Sequence, residues 1–333
     1  MNPSAILASP RPRTRIRAWM PAGLTGVAAL LPLGLRSVAH QNLLVLIAIN
    51  IILVASLDLL IGQTGLISLG HAGFWGVGAY TSALLVMRGG LPFPLALLGA
   101  AAAAAVAGLF IGYPSLRLRG HYFALVTFVF GIILTLLFTS LVRLTRGPMG
   151  LPGIPFAKIH LPGLGTYTLN TFQSKVGYYY LVLVVVVFVL WVRSRVARSR
   201  MGRALVAIRE DEDLAMTVGV VTHRYKVLVF VVSTTFAGLA GSLYAHYTTF
   251  LSPEIFTFVA SFDLFVMNLV GGAGTPAGPL VGPILLTVLR DILRNLSPVL
   301  AEIVFGIFLI ASIAFLPRGL VGGWRDLMAR WPT

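Results

Sequence analysis

The sequence predicts an all-α, polytopic transmembrane bundle of about ten spans, and three observations carry that prediction. Of its 333 residues, 57% are hydrophobic and only 11% are charged, against roughly 25% charged in a soluble domain. Apolar runs near the roughly 20 residues needed to cross a bilayer recur along almost the whole chain. The basic residues gather in the connections between those runs, whereas a nucleic-acid binder with the same formal net charge of +15 would place them on one water-facing patch.

The runs fall at about 20–35, 42–61, 66–87, 91–112, 120–142, 176–192, 226–248, 257–271, 275–294 and 299–316, bounded by charges, Pro or Gly. The first and eighth are short and are expected to be tilted, broken or partly re-entrant. The chain is thereby organised as a basic N-terminal segment (1–19), one membrane domain (20–318) and a C-terminal tail (319–333). Arg11, Arg13, Arg15 and Arg17 could open a signal peptide, but no convincing small-residue cleavage site follows. Threading from an inside N-terminus puts most of the 25 basic residues, and both ends, in the cytoplasm. There is no Cys, so disulfides, thiolate metal ligation and Cys nucleophiles are excluded.

Two connections are long. The outer one, 143–175, is rich in Gly and Pro and reads as an ordered or partner-facing periplasmic segment. The inner one, 193–226, places Leu205, Ile208, Leu214, Ala215 and Val218 near helical spacing around a charged turn, with Gly219 as a C-cap. It predicts a short amphipathic helix or helix pair at the membrane surface. Such a helix could simply bind headgroups, but the acidic run Glu210 to Asp213 opposes adhesion to an anionic leaflet and suits a protein groove better.

Two uncharged bends, Gly62-Gln63-Thr64-Gly65 and Gly271-Gly272-Ala273-Gly274-Thr275-Pro276, both fall on the predicted cytoplasmic side. They hint at an internal repeat of the kind transporters use, although tight helical turns explain them nearly as well.

Several stretches together resemble the permeases of branched-chain amino acid ABC importers. They are Gly62 to Phe74; Leu116-Arg117-Leu118-Arg119-Gly120-His121 to Thr127; Gly202 through Ile208-Arg209-Glu210 to Gly219; Phe236-Ala237-Gly238-Leu239-Ala240-Gly241-Ser242; and Gly271 to Pro279. The second, with Arg146-Gly147-Pro148-Met149-Gly150-Leu151, is most similar to the LivM type. The resemblance covers roughly 40–320. It implies import of Leu, Ile or Val through a bacterial inner membrane by a complex with a second related permease, two cytoplasmic ATPases and a periplasmic solute-binding protein. It also implies an ATPase-coupling element at Gly202, Arg203, Ala204, Arg209, Glu210 and Gly219. No Gly-x-x-x-x-Gly-Lys-Ser/Thr loop occurs, so no cofactor is expected on this chain, and ATP and Mg belong to the partner ATPases.

Polar residues inside apolar runs are the candidates for a translocation path. Asp58 and Asp263 are the clearest, because an ionised Asp at mid-membrane costs about 2.5–3.5 kcal/mol or more; each could equally be a tolerated carboxylate near a span end. Asn50, Gln63, Thr64, Ser68, His71, Thr127 and Asn268 could line a path or hydrogen-bond between helices. The same architecture could carry urea, short amides or other amino acids. An ion-coupled secondary transporter is a reading from a different class, weakened by the scarcity of paired midplane charges. The six scattered His form no metal-ligand pair at helical spacing, so neither a metal site nor a membrane enzyme is expected.

Overall fold

A computed structural model describes residues 31–32, 37–118, 120–161, 165–169 and 175–296, with short pieces at 303–304, 306–307 and 319–323. The expectations for 1–19, most of the runs at 20–35 and 299–316, and most of the tail lie outside the described residues.

The first long helix, α1 (Val38–Thr64), has 27 residues and a single charge, Asp58. At 1.5 Å per residue it measures about 40 Å. It stops at Gly65, whose left-handed backbone (φ 72°) lets its N–H close on the Ile61 carbonyl. The sequence predicts one run over 66–87, but α2 (His71–Met87) starts only at His71. Residues 66–70 are unwound because tertiary contacts replace helical bonds: Leu69 N–H donates to Thr127 Oγ1 at 3.1 Å. A side chain at Gly70 would also strike the Thr127 carbonyl at 2.0 Å.

The next helix, α3 (Phe93–Ser115), opens after the N-capping Pro92. It is followed by α4 (His121–Ser140) and a single turn, α5 (Val142–Thr145). Within the outer connection the described residues form a 3-10 turn at Gly147–Met149 and three short strands. Antiparallel pairing joins β1 (Leu151–Pro152) to β4 (Phe250–Leu251), and β2 (Lys158–Leu161) to β3 (Gly165–Thr168). These strand pairs amend the all-α expectation, since they give loop backbone partners that no helix supplies.

The sixth helix, α6 (Val176–Arg198), continues past the predicted end of its apolar run at 192 and carries Arg193 on helical backbone. The amphipathic pair follows as α7 (Arg200–Glu210) and α8 (Glu212–Thr217). Among the described residues there follow α9 (Thr222–Thr248), a 3-10 turn at Pro253–Phe256, α10 (Phe258–Gly271) and α11 (Gly278–Leu296).

Among the described residues, five helices are long and apolar enough to cross a membrane: α1, α3, α4 over Tyr122–Ser140, α6 and α9. Centre and rim differ clearly, with 78% and 67% of the most apolar stretches of α1 and α9 buried, against 28% and 33% for α4 and α6. The centre is tight because small residues meet there. A Cβ on Gly78 of α2 would lie 2.3 Å from the Gly238 carbonyl of α9.

Candidate functional site

The two glycine bends meet. A Cβ on Gly62 would lie 2.7 Å from the Gly274 backbone, so only glycine permits this approach. Asp58 closes the junction from α1, and its Oδ1 accepts the Gly274 N–H at 2.7 Å. Its Oδ2 accepts Arg193 Nε at 2.8 Å and Nη2 at 2.5 Å. Arg193 also donates to the carbonyls of Thr275 at 2.8 Å and Pro276 at 3.4 Å. The pair is nearly sealed, at 7% and 0% side-chain exposure, and the extra bonds offset the desolvation that makes a buried ion pair costly. The chain returns to this point at Gly319, where a side chain would meet Gly272 at 2.4 Å.

The amphipathic pair rests on this junction. In α7, Ser199 caps the N-terminus by accepting the Gly202 N–H at 3.1 Å. Gly202, Leu205 and Ile208 face inward. A Cβ on Gly202 would strike the Val196 and Ala197 carbonyls, so this glycine lets the chain turn sharply out of α6. Arg209 donates through Nη1 to the Gly62 carbonyl at 2.8 Å and pairs through Nη2 with Glu210 at 2.8 Å.

Asp211, a member of the acidic run, caps α8 by accepting the Leu214 N–H at 3.0 Å. Glu212 binds the buried Lys226 at 2.5 Å. Beyond α8, Gly219 takes φ 84°, and the Val220 N–H to Ala215 and Gly219 N–H to Met216 bonds form a Schellman end. Arg203, Glu210, Leu214, Met216, Val218 and Gly219 remain on the exposed ridge, with Ala204 half-buried.

The other candidates are dispersed. Thr64 Oγ1 bonds the Leu60 carbonyl at 2.7 Å, Gln63 is buried, and Thr127 anchors the unwound segment. His71 Nε2 meets Ser56 Oγ at 2.6 Å, while its Nδ1 and Ser68 Oγ are buried without a partner. Asn268 is buried with neither side-chain atom bonded. Asp263 pairs with Arg290 at 2.6 Å, and Asn50 donates to Thr287 at 3.0 Å. Among the described residues no group of His, Asp and Glu could hold a metal ion.

Residues that sequence reasoning missed include Arg193, read as the start of a basic loop, and Lys226. A second missed group is Ser82, which bonds Ser242 at 2.7 Å and His246 at 3.0 Å, with His246 Nδ1 on the Pro155 carbonyl at 2.7 Å. That network ties α2 and α9 to the outer connection. The available signal was a set of polar residues in apolar runs; the pairing was not visible.

A bundle of apolar helices with an amphipathic helix pair braced on its two glycine bends defines a multi-pass membrane protein. Residues 40–313 match the family described as branched-chain amino acid transport system / permease component, and the chain belongs to that family. It is 40% identical over 243 residues to the high-affinity branched-chain amino acid transport system permease protein LivM of Escherichia coli strain K12, covering 68% of this chain. The match spans only 57% of LivM's length. It is 25% identical over 277 residues to LivH of the same strain, covering 78% of this chain and 87% of LivH. A probable LivM of Methanocaldococcus jannaschii is 24% identical over 241 residues, covering 68% of this chain and 67% of that protein. No solved structure matches.

Proposed function

We propose that this chain is the permease subunit of an ATP-driven importer in a bacterial inner membrane, translocating Leu, Ile and Val delivered by a periplasmic binding protein. The observation that carries the reading is the Arg209 bond to the Gly62 carbonyl. It links an exposed handle to the bend where α1 ends, beside the second bend at Gly274. A partner ATPase gripping the ridge of Arg203, Glu210, Leu214 and Val218 would displace α7 and shift both bends together. Transmission of this kind needs an element with two arrangements that the partner favours differently.

The same reading assigns a second, related permease, two ATPases that hold ATP and Mg, and cytoplasmic ends. The coupling set is Gly202, Arg203, Ala204, Arg209, Glu210 and Gly219, within the inner connection 193–226. The ten spans comprise α1, α2, α3, α4, α6, α9, α10 and α11 with the runs at 20–35 and 299–316. The meeting of two similar glycine bends supports the internal repeat.

Co-purification with the neighbouring ATPase, permease and binding-protein candidates, then labelled leucine and urea uptake in liposomes, tests the proposal. Leucine accumulation that requires ATP and collapses when residues 200–217 are scrambled is expected. Accumulation driven by a proton gradient in ATP-depleted vesicles would overturn the reading, and urea uptake in place of leucine would reassign the cargo.

A further inference from the structure

Asp263 on α10 accepts Arg290 Nη1 of α11 at 2.6 Å. At 48% exposure for Arg290 and 15% for Asp263, this pair opens onto the outside of the chain. Counted at 1.5 Å per residue, Arg290 stands about 18 Å along α11 from Gly278, and Asp263 about 12 Å back along α10 from Gly271. With the glycine bends at the membrane edge, both lie within the roughly 30 Å hydrocarbon layer. One turn away, Thr287 accepts from Asn50 at 3.0 Å, and both of these residues are half-buried. Asp291 and Arg294 are also exposed on α11. A charged side chain facing lipid at such depth is strongly disfavoured, so this face meets water or protein in the working complex.

The geometry points to a binding site for the zwitterionic head group of an α-amino acid: the α10–α11 face walls the translocation path against the second permease, Arg290 takes the carboxylate, and Asp263 takes the ammonium. This rests on the importer reading and deepens it. An incoming zwitterion supplies each member of the pair with a new opposite charge as they separate, so no charge is left alone in a poorly solvating layer. A guanidinium presents two parallel donors to a carboxylate. A neutral amide such as urea offers no such exchange and would leave the pair closed.

The test uses the assembled complex in liposomes. ATP-dependent leucine uptake by the unaltered chain examines the importer reading on its own. Asp263→Asn, Arg290→Gln and the exchanged pair Asp263→Arg with Arg290→Asp then examine the site. Losing one of the two charges that would hold the zwitterion predicts about a tenfold or greater fall in uptake. Co-purification with the partners should be retained. The exchanged pair should rebuild the ion pair without rebuilding uptake.

Recovery of uptake in the exchanged pair, or single variants within about twofold of the unaltered chain, would make the pair a packing brace and overturn the proposal. Should a variant fail to assemble, Thr287→Cys keeps the question open to measurement, because the chain has no cysteine of its own. A hydrophilic maleimide is expected to label that thiol in the assembled complex, and saturating leucine to slow it. No labelling would mean a dry face and would equally overturn the proposal.

Discussion

Asp58 and Asp263 look alike in the sequence, each a lone carboxylate in an apolar run, yet the fold treats them oppositely. Asp58 is sealed against Arg193 and the Gly274 N–H at the junction of α1, α6 and the second glycine bend. Asp263 pairs with the half-exposed Arg290 on an open face. The difference teaches that membrane depth alone does not assign a role to an ionisable group. What assigns it is the number of partners that hold it and whether it can be reached from outside.

The largest expected effect breaks the sealed pair. Asp58→Ala leaves Arg193 buried without its counter-charge, and should lower stability by about 3–5 kcal/mol. Unfolding followed in detergent micelles checks this, and a cost similar to that of an exposed pair would dissolve the contrast.

Gly219→Ala comes next, because a side chain at φ 84° strains the end of α8. A loss of about 1–2 kcal/mol is expected, read as local amide-exchange acceleration over residues 212–220. Arg209→Ala removes a charge-assisted bond that is 38% exposed on the arginine side, so its stability cost should be about 1 kcal/mol. Its effect on ATP-driven uptake should be far larger than that cost, which coupled uptake and unfolding measurements on one preparation would separate.

Smallest of all, Arg290→Gln should change stability by about 0–1 kcal/mol, as for other open pairs. A large destabilisation there would erase the distinction between the two carboxylates.

Much of the handle was legible. Leu205 and Ile208 at helical spacing, the acidic turn and Gly219 announced a helix pair ended by a left-handed residue, and α7 and α8 form accordingly. These signals are local, since spacing and capping act within a few residues. The run at 66–87 read as continuous because hydropathy cannot register that Thr127, 58 residues away, replaces the helical partner of Leu69. Asp211 and Glu212 read only as members of an acidic run because neither the Leu214 N–H nor Lys226 is visible as a partner in a charge pattern.

The sequence by itself determined that this is a helical membrane protein of a branched-chain amino acid permease family, with an amphipathic element between α6 and α9. Those properties are sums over neighbouring residues, and lipid rewards them segment by segment. Only the tertiary structure decided that Arg193 belongs to Asp58, that Arg209 reaches Gly62, and that the two glycine bends touch. Those contacts join segments more than 80 residues apart, and their strength depends on the burial and close backbone approach that helix packing creates.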